Sequence, residues 1–177
     1  MEARLIAALA AALLLAAGCG EPPQEQVNAD DVMFLQMMIP HHKQGIEIVR
    51  LAGGRATTAE MKTLAAAIER TQSAEVAMMT RWLTEWDQPL TAPSDAHAGH
   101  GGLPETDRER VAAVRNERDL VNLLIAHQDD AIQMARVEVY NGLNPQVKEW
   151  ARQVERSRDA QIDQMLTFLG PHPSPSA

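Results

Sequence analysis

Two adjacent histidines, His41 and His42, follow directly after Pro40 in the segment "MMIPHHKQGIEIV", Met37 to Val49, whose apolar spacing otherwise reads as helix. Imidazole nitrogen is a donor to copper and zinc, and the thioether of methionine adds a soft donor that favours copper. Met37 and Met38 each stand four residues before a histidine, so they lie one turn earlier on the same helix faces. Further along, Gln72 and Glu75 in "ERTQSAEVAMM" supply oxygen atoms of the kind that suit Cu(II) or zinc. Pro40 has no N–H for the carbonyl of Gln36, so a kink beside the histidines is expected, and the freed carbonyl is one more acceptor. A weaker chelating pair is His97 and His100 in "HAGH".

Four long segments with helical periodicity must position these groups, and no segment alternates like a strand, so the expected class is all-α. The first runs from about Asp30 to Ala52, entered through Asn28 or Asp30 and stopped by Gly53-Gly54. The second is read from Thr57, spaced as a capping box with Glu60, to about Trp86; the third from Thr106, with Glu109, to about Tyr140. The fourth opens on Asn144-Pro145 and ends at Leu169-Gly170. Hairpin one thus covers 29–87, a linker 88–104, and hairpin two 105–170, with a polar tail over 171–177.

The two hairpins superimpose without a gap at an offset of 86 residues. "IPHHKQGIEI" from Ile39 falls on "IAHQDDAIQM" from Ile125, and "LAAAIERTQSAEVAMM" from Leu64 on "WARQVERSRDAQIDQM" from Trp150. His41 therefore matches His127, whereas His42, Gln72 and Glu75 match Gln128, Arg158 and Gln161. Alternating steps of four and three residues place His41, Gly45, Gln72, Glu75, His127, Arg158 and Gln161 on the inward seams of a four-helix bundle built from two repeated hairpins. Counting from a turn near Gly54 to Ala56 sets His41 level with Ile68 to Gln72. His42, one position round the helix, is expected nearer the surface. In a twofold arrangement Arg158 can face Glu75 and neutralise it.

The Met38-x-x-His41-His42 signature, the Gln72-x-x-Glu75 pair followed by Met79, and the duplication of this unit resemble the exported bacterial family called domain of unknown function 305. The resemblance covers essentially the whole mature chain. It implies a ferritin-like four-helix bundle and, from members of the CopM type, periplasmic copper binding. The ligands it points to are His41, His42, Met37 or Met38, Gln72 and Glu75, with His127 in the second half, where one imidazole and one carboxylate are missing and Arg158 adds a positive charge. Zinc, or no metal at all, are the alternatives to copper.

Other features bound the function classes. "MEARLIAALAAALLLAAGCG" has the form of a secretory signal over residues 1–18, and Leu15 to Cys19 resembles a bacterial lipobox. Cys19 is then the lipidated N-terminus, residues 19–28 a tether, and the protein a membrane-anchored lipoprotein on the outer face of a bacterial membrane or in the periplasm. As the single cysteine, it leaves neither an intrachain disulfide nor a thiolate cluster to be formed. The net charge of −8 argues against nucleic acid and for cations as partners, and a homo-oligomer is compatible with the bundle. No Glu-x-x-His, His-Glu-x-x-His, nucleophile elbow or phosphate loop occurs, so an enzyme is not expected. The competing reading is a non-catalytic envelope scaffold whose His/Glu/Arg seam only fixes packing.

Overall fold

Asn28 starts the first helix by a reciprocal cap: its side chain accepts from the N–H of Asp31, and Asp31 accepts from the N–H of Asn28. In the computed structural model, which describes residues 26–92 and 108–170, helix α1 then runs unbroken from Ala29 to Ala52, through Pro40. A 3-10 turn, Gly53–Arg55, leads to α2, Ala59–Glu85. The short α3, Arg108–Ala112, precedes the long α4, Glu117–Asn141, and α5, Pro145–Phe168, closes the order. The described residues contain no strand. The architecture is the expected all-α, ferritin-like bundle of two hairpins, with α1 packed on α2, α4 on α5, and α1 against α4 as the main contact between them. Signal, tether, Cys19, the "HAGH" histidines His97 and His100, and the tail lie outside the described residues.

Two boundaries differ from the sequence reading. Thr58, not Thr57, caps α2 through the N–H of Met61. The expected single third helix is divided, because the Asn116 side chain accepts from the N–H of Asp119 and begins a new helix there. The division lets Val111 and Val114 fold onto the end of the bundle, where both are buried.

The core has two apolar clusters. One, around Ile48, Met61, Ile68, Leu120, Leu124 and Met165, fills the α3 end. The other, around Phe34, Met38, Met79, Trp82, Ala151 and Val154, fills the opposite end. Between them lies a polar layer of buried His41, His42, Gln72, His127, Gln128 and Arg158.

The repeat is visible in the contacts as well as in the helices. Arg50 pairs with Glu69 and Arg136 with Glu155, both at 2.8 Å and at matching repeat positions. Each hairpin also clasps the loop of the other. Asp31 accepts from the N–H groups of Leu143 and Asn144, and Glu117, its repeat equivalent, accepts from those of Thr57 and Thr58.

Candidate functional site

The polar layer is assembled from one turn of each long helix. His41 and His127 stack face to face, ring centroids 4.0 Å apart and 9° from parallel. The Nε2–H of His41 donates to the backbone carbonyl of His127 at 3.2 Å, which leaves its Nδ1 as a bare lone pair. The reverse bond is not made, and neither nitrogen of His127 has a hydrogen-bond partner. Burial, then the neighbouring His127 and His42, holds the His41 imidazole well below the ordinary histidine range. Burial, with the positive potential of His42 and Arg158, brings His127 down to about 3. Both rings are neutral at physiological pH.

His42 is fully buried, which corrects the expectation of exposure. Helix α1 touches both α2 and α4, so it buries a wide face rather than a single seam. The Nε2–H of His42 donates to Glu75 Oε2 at 2.7 Å, and the Arg158 guanidinium donates to the same oxygen. Arg158 Nη2 also lies 3.3 Å from His42 Nε2, two donors converging on one carboxylate. Burial lowers the His42 pKa despite the opposing pull of Glu75. Burial raises the Glu75 carboxyl, but the hydrogen bonds from His42 and Arg158 and their charge bring it below its ordinary value. The facing of Arg158 and Glu75 expected from the twofold arrangement is therefore present.

Hairpin one is deeper in register than the turn count implied: His42 meets Glu75, and Gly45 meets Gln72. On the other side of the layer the matching positions are amides only. Gln72 Nε2 donates to Gln128 Oε1 at 3.4 Å, and Gln128 Nε2 donates to Gln161 Oε1. Gln72 Oε1 has no partner. Met37 and Met38 are both buried, one turn before His41 and His42.

Two features escaped the sequence reading. A Cβ on Gly45 would fall 2.2 Å from Gln72 Oε1 and 2.5 Å from His127 Nε2, so the absence of a side chain lets these two atoms approach the α1 backbone. The signal was the pairing of Gly45 with Ala131 in the repeat. Glu138, at the far end of α4, is 1 % exposed; its ionised oxygens have no donor, and the neighbouring Asp31 carboxylate can accept a hydrogen bond from it only when Glu138 is protonated. No sequence pattern marked it; its repeat equivalent is Ala52.

A residue model for the "Domain of unknown function (DUF305)" matches residues 31–169. The chain belongs to the DUF305 family. Among solved structures, a DUF305 protein from Streptomyces coelicolor described as secreted superimposes with a TM-score of 0.73 at 24% identity, covering 79% of this chain and 91% of that one. CopM in its Cu(II)-bound form gives 0.67 at 31% identity, and in its Cu(I)-bound form 0.66 at 29%; each covers 78% of this chain and 94% of CopM. No protein of curated function matches the chain.

Among the described residues no three His, Cys, Asp or Glu side chains converge as a ready-made metal centre. The donors that do lie free are neutral: His41 Nδ1, His42 Nδ1, whichever nitrogen of His127 is not protonated, and Gln72 Oε1. Neutral nitrogen with buried thioether one turn away fits a soft monovalent ion, which accepts as few as two donors. Glu75, committed to Arg158 and His42, does not fit as a ligand in this arrangement.

Proposed function

We propose that this DUF305 protein is an exported, lipid-anchored metal binder that holds copper as cargo at the histidine layer of its first hairpin and catalyses no reaction. His41 and His42 would supply nitrogen, Met38 or Met37 sulfur, and His127 a further nitrogen from hairpin two, with Gln72 and Glu75 orienting the imidazoles around them. The observation that carries the reading is the set of buried imidazole nitrogens without hydrogen-bond partners. A buried polar atom left unbonded is destabilising by about 1–3 kcal/mol, and a bound ion is one way to satisfy several at once. The likeness to CopM, crystallised with Cu(I), Cu(II) and Ag, supports copper as the metal. The signal and lipobox pattern ending at Cys19 support the envelope location, and the secreted Streptomyces relative accords with export. Among the described residues no helix is long and apolar enough to cross a membrane.

Titrating the purified mature protein with Cu(I), buffered by a competing chelator, tests this. Saturable binding that His41→Ala/His42→Ala weakens by at least about tenfold is expected. No saturable binding, or equal affinity in the double variant, refutes it.

The ion pair of Arg158 with Glu75 favours a second reading, in which the layer only fixes the packing of the hairpins. Under it the double variant loses stability and no metal binds.

A further inference from the structure

Arg158 is the least expected member of the layer. It enters from α5 fully buried, donates to Glu75 and to Ser157 Oγ, and leaves its Nε without a partner. At the matching position hairpin one carries Gln72, a neutral residue. Hairpin one thus holds a carboxylate, Glu75, that accepts from the His42 Nε2–H at 2.7 Å and whose negative charge would draw a positive ion toward the layer. The positive group beside that pair is a guanidinium supplied by hairpin two.

We propose that Arg158 is a specificity-determining residue: a resident cation that sorts incoming metal ions by charge, turning away divalent ions and leaving the neutral imidazole and thioether donors to monovalent soft ions. This inference rests on the metal-binding reading above. A guanidinium does not deprotonate in a protein, so its charge is permanent. Its repulsion of an incoming ion rises in proportion to that ion's charge, and a divalent ion meets twice the repulsion of a monovalent one at the same place. In a buried layer salt screens this weakly. Glu75, the carboxylate that would offset a second positive charge, is already matched by Arg158. The donors left for an incoming ion, on His41, His42, His127 and Gln72, carry lone pairs and no charge.

The test uses the full mature chain, with Ag(I) as a redox-inert monovalent probe and Zn(II) as the divalent one, each measured by competition titration. Three proteins are compared: wild type, Arg158→Gln, which installs the residue of the equivalent position, and Glu75→Gln/Arg158→Gln, which removes both charges together. Thermal melts establish that each is folded. Arg158→Gln is expected to tighten Zn(II) by at least about tenfold and Ag(I) by only about the square root of that factor, roughly threefold. The double variant, again without net charge, is expected to restore the wild-type preference to within about threefold; should Arg158→Gln not fold, Glu75→Gln alone, which leaves the Arg158 charge unmatched, is expected to weaken Zn(II) by at least about tenfold and Ag(I) by about the square root of that factor, and equal affinities for wild type and Glu75→Gln overturn the proposal.

If wild type binds Ag(I) and neither variant changes the ratio of the two affinities in the stated way, Arg158 is no charge filter and the metal-binding reading stands. If both ions gain equally in both variants, Arg158 is only a steric plug, and the proposal is overturned. If neither ion binds wild type or variants, the metal-binding reading itself fails and the proposal falls with it.

Discussion

Gly45 lies in the interior of α1, where a propensity argument alone says that alanine would be better by about 1 kcal/mol. The packing says the reverse. A Cβ there would meet Gln72 Oε1 at 2.2 Å and His127 Nε2 at 2.5 Å, both far inside contact distance. The two neighbours do not yield equally. Gln72 ends in a flexible amide that can swing aside, though it then gives up its bond to Gln128. His127 is a rigid ring held flat against His41, so it can retreat only by sliding out of a 4.0 Å stack or by pushing α1 and α4 apart. Overpacking of this kind is destabilising by about 1–3 kcal/mol, with a lost buried hydrogen bond adding about 1 kcal/mol. Set against the propensity gain, Gly45→Ala should be about 1–3 kcal/mol less stable than wild type, lowering the melting temperature by roughly 3–9 °C for a bundle of this size. Gly54→Ala is the internal comparison. Nothing lies within 4 Å of the Cβ it adds, and it should be neutral or slightly stabilising. Urea and thermal unfolding of both variants, followed by far-UV circular dichroism, measure the difference. A Gly45→Ala protein that melts at or above the wild-type temperature would show that the two helices have slack at this layer, and the close-approach argument would be wrong.

Burial, then the adjacent Asp31 carboxylate and more weakly Asp30, push the Glu138 carboxyl up to about 8, against the pull of Lys148. A folded pKa above the unfolded value of 4.5 means that this contribution to stability is complete below about 4.5 and is lost as pH rises through about 8; melts at pH 6 to 9 should decline in wild type and flatten in Glu138→Gln. The two loop clasps differ in burial, since Asp31 is fully buried and Glu117 is not. Asp31→Ala should therefore lose about 2–4 kcal/mol in urea unfolding and Glu117→Ala no more than about 1 kcal/mol; equal losses would contradict the role given to burial.

Much of the bundle is readable from local spacing. Met61, Ala65, Ile68, Gln72, Glu75, Met79 and Trp82 step by four and three along α2, and all of them but the half-buried Glu75 are buried. Asn28 and Asn144 stand at their helix starts because a cap is a contact within three residues. The breaks are where distant partners decide. The start of α2 is fixed together with Glu117, which takes the N–H and the hydroxyl of both Thr57 and Thr58. Nothing within α2 records that carboxylate. The exposure of His42 was misjudged for a similar reason. A single seam buries one stripe, but α1 packs on α2 and α4 together, and the unbroken buried run Phe34 to Ile39 was the available sign of a doubly covered helix.

The repeat carried the most information about the site, because it turns differences between halves into statements about chemistry. Arg50 with Glu69 and Arg136 with Glu155 keep both partners, so the two hairpins carry the same exposed pair. His42 with Glu75 has become Gln128 with Gln161, a nitrogen-to-oxygen contact between amides that preserves the bridge while removing ionisable groups. Substituted separately, either change would leave a buried partner unmatched. Arg158 completes the exchange: hairpin two lacks the counterparts of His42 and Glu75, keeps His127, and supplies the cation that pairs with the carboxylate of hairpin one. Under the proposed metal-binding reading the two halves form one site, with donors from His41 and His42 of hairpin one and His127 of hairpin two, and the counter-charge to Glu75 from Arg158. Under that reading a metal ion entering this layer meets donors from both halves of the repeat and a competing cation from the second.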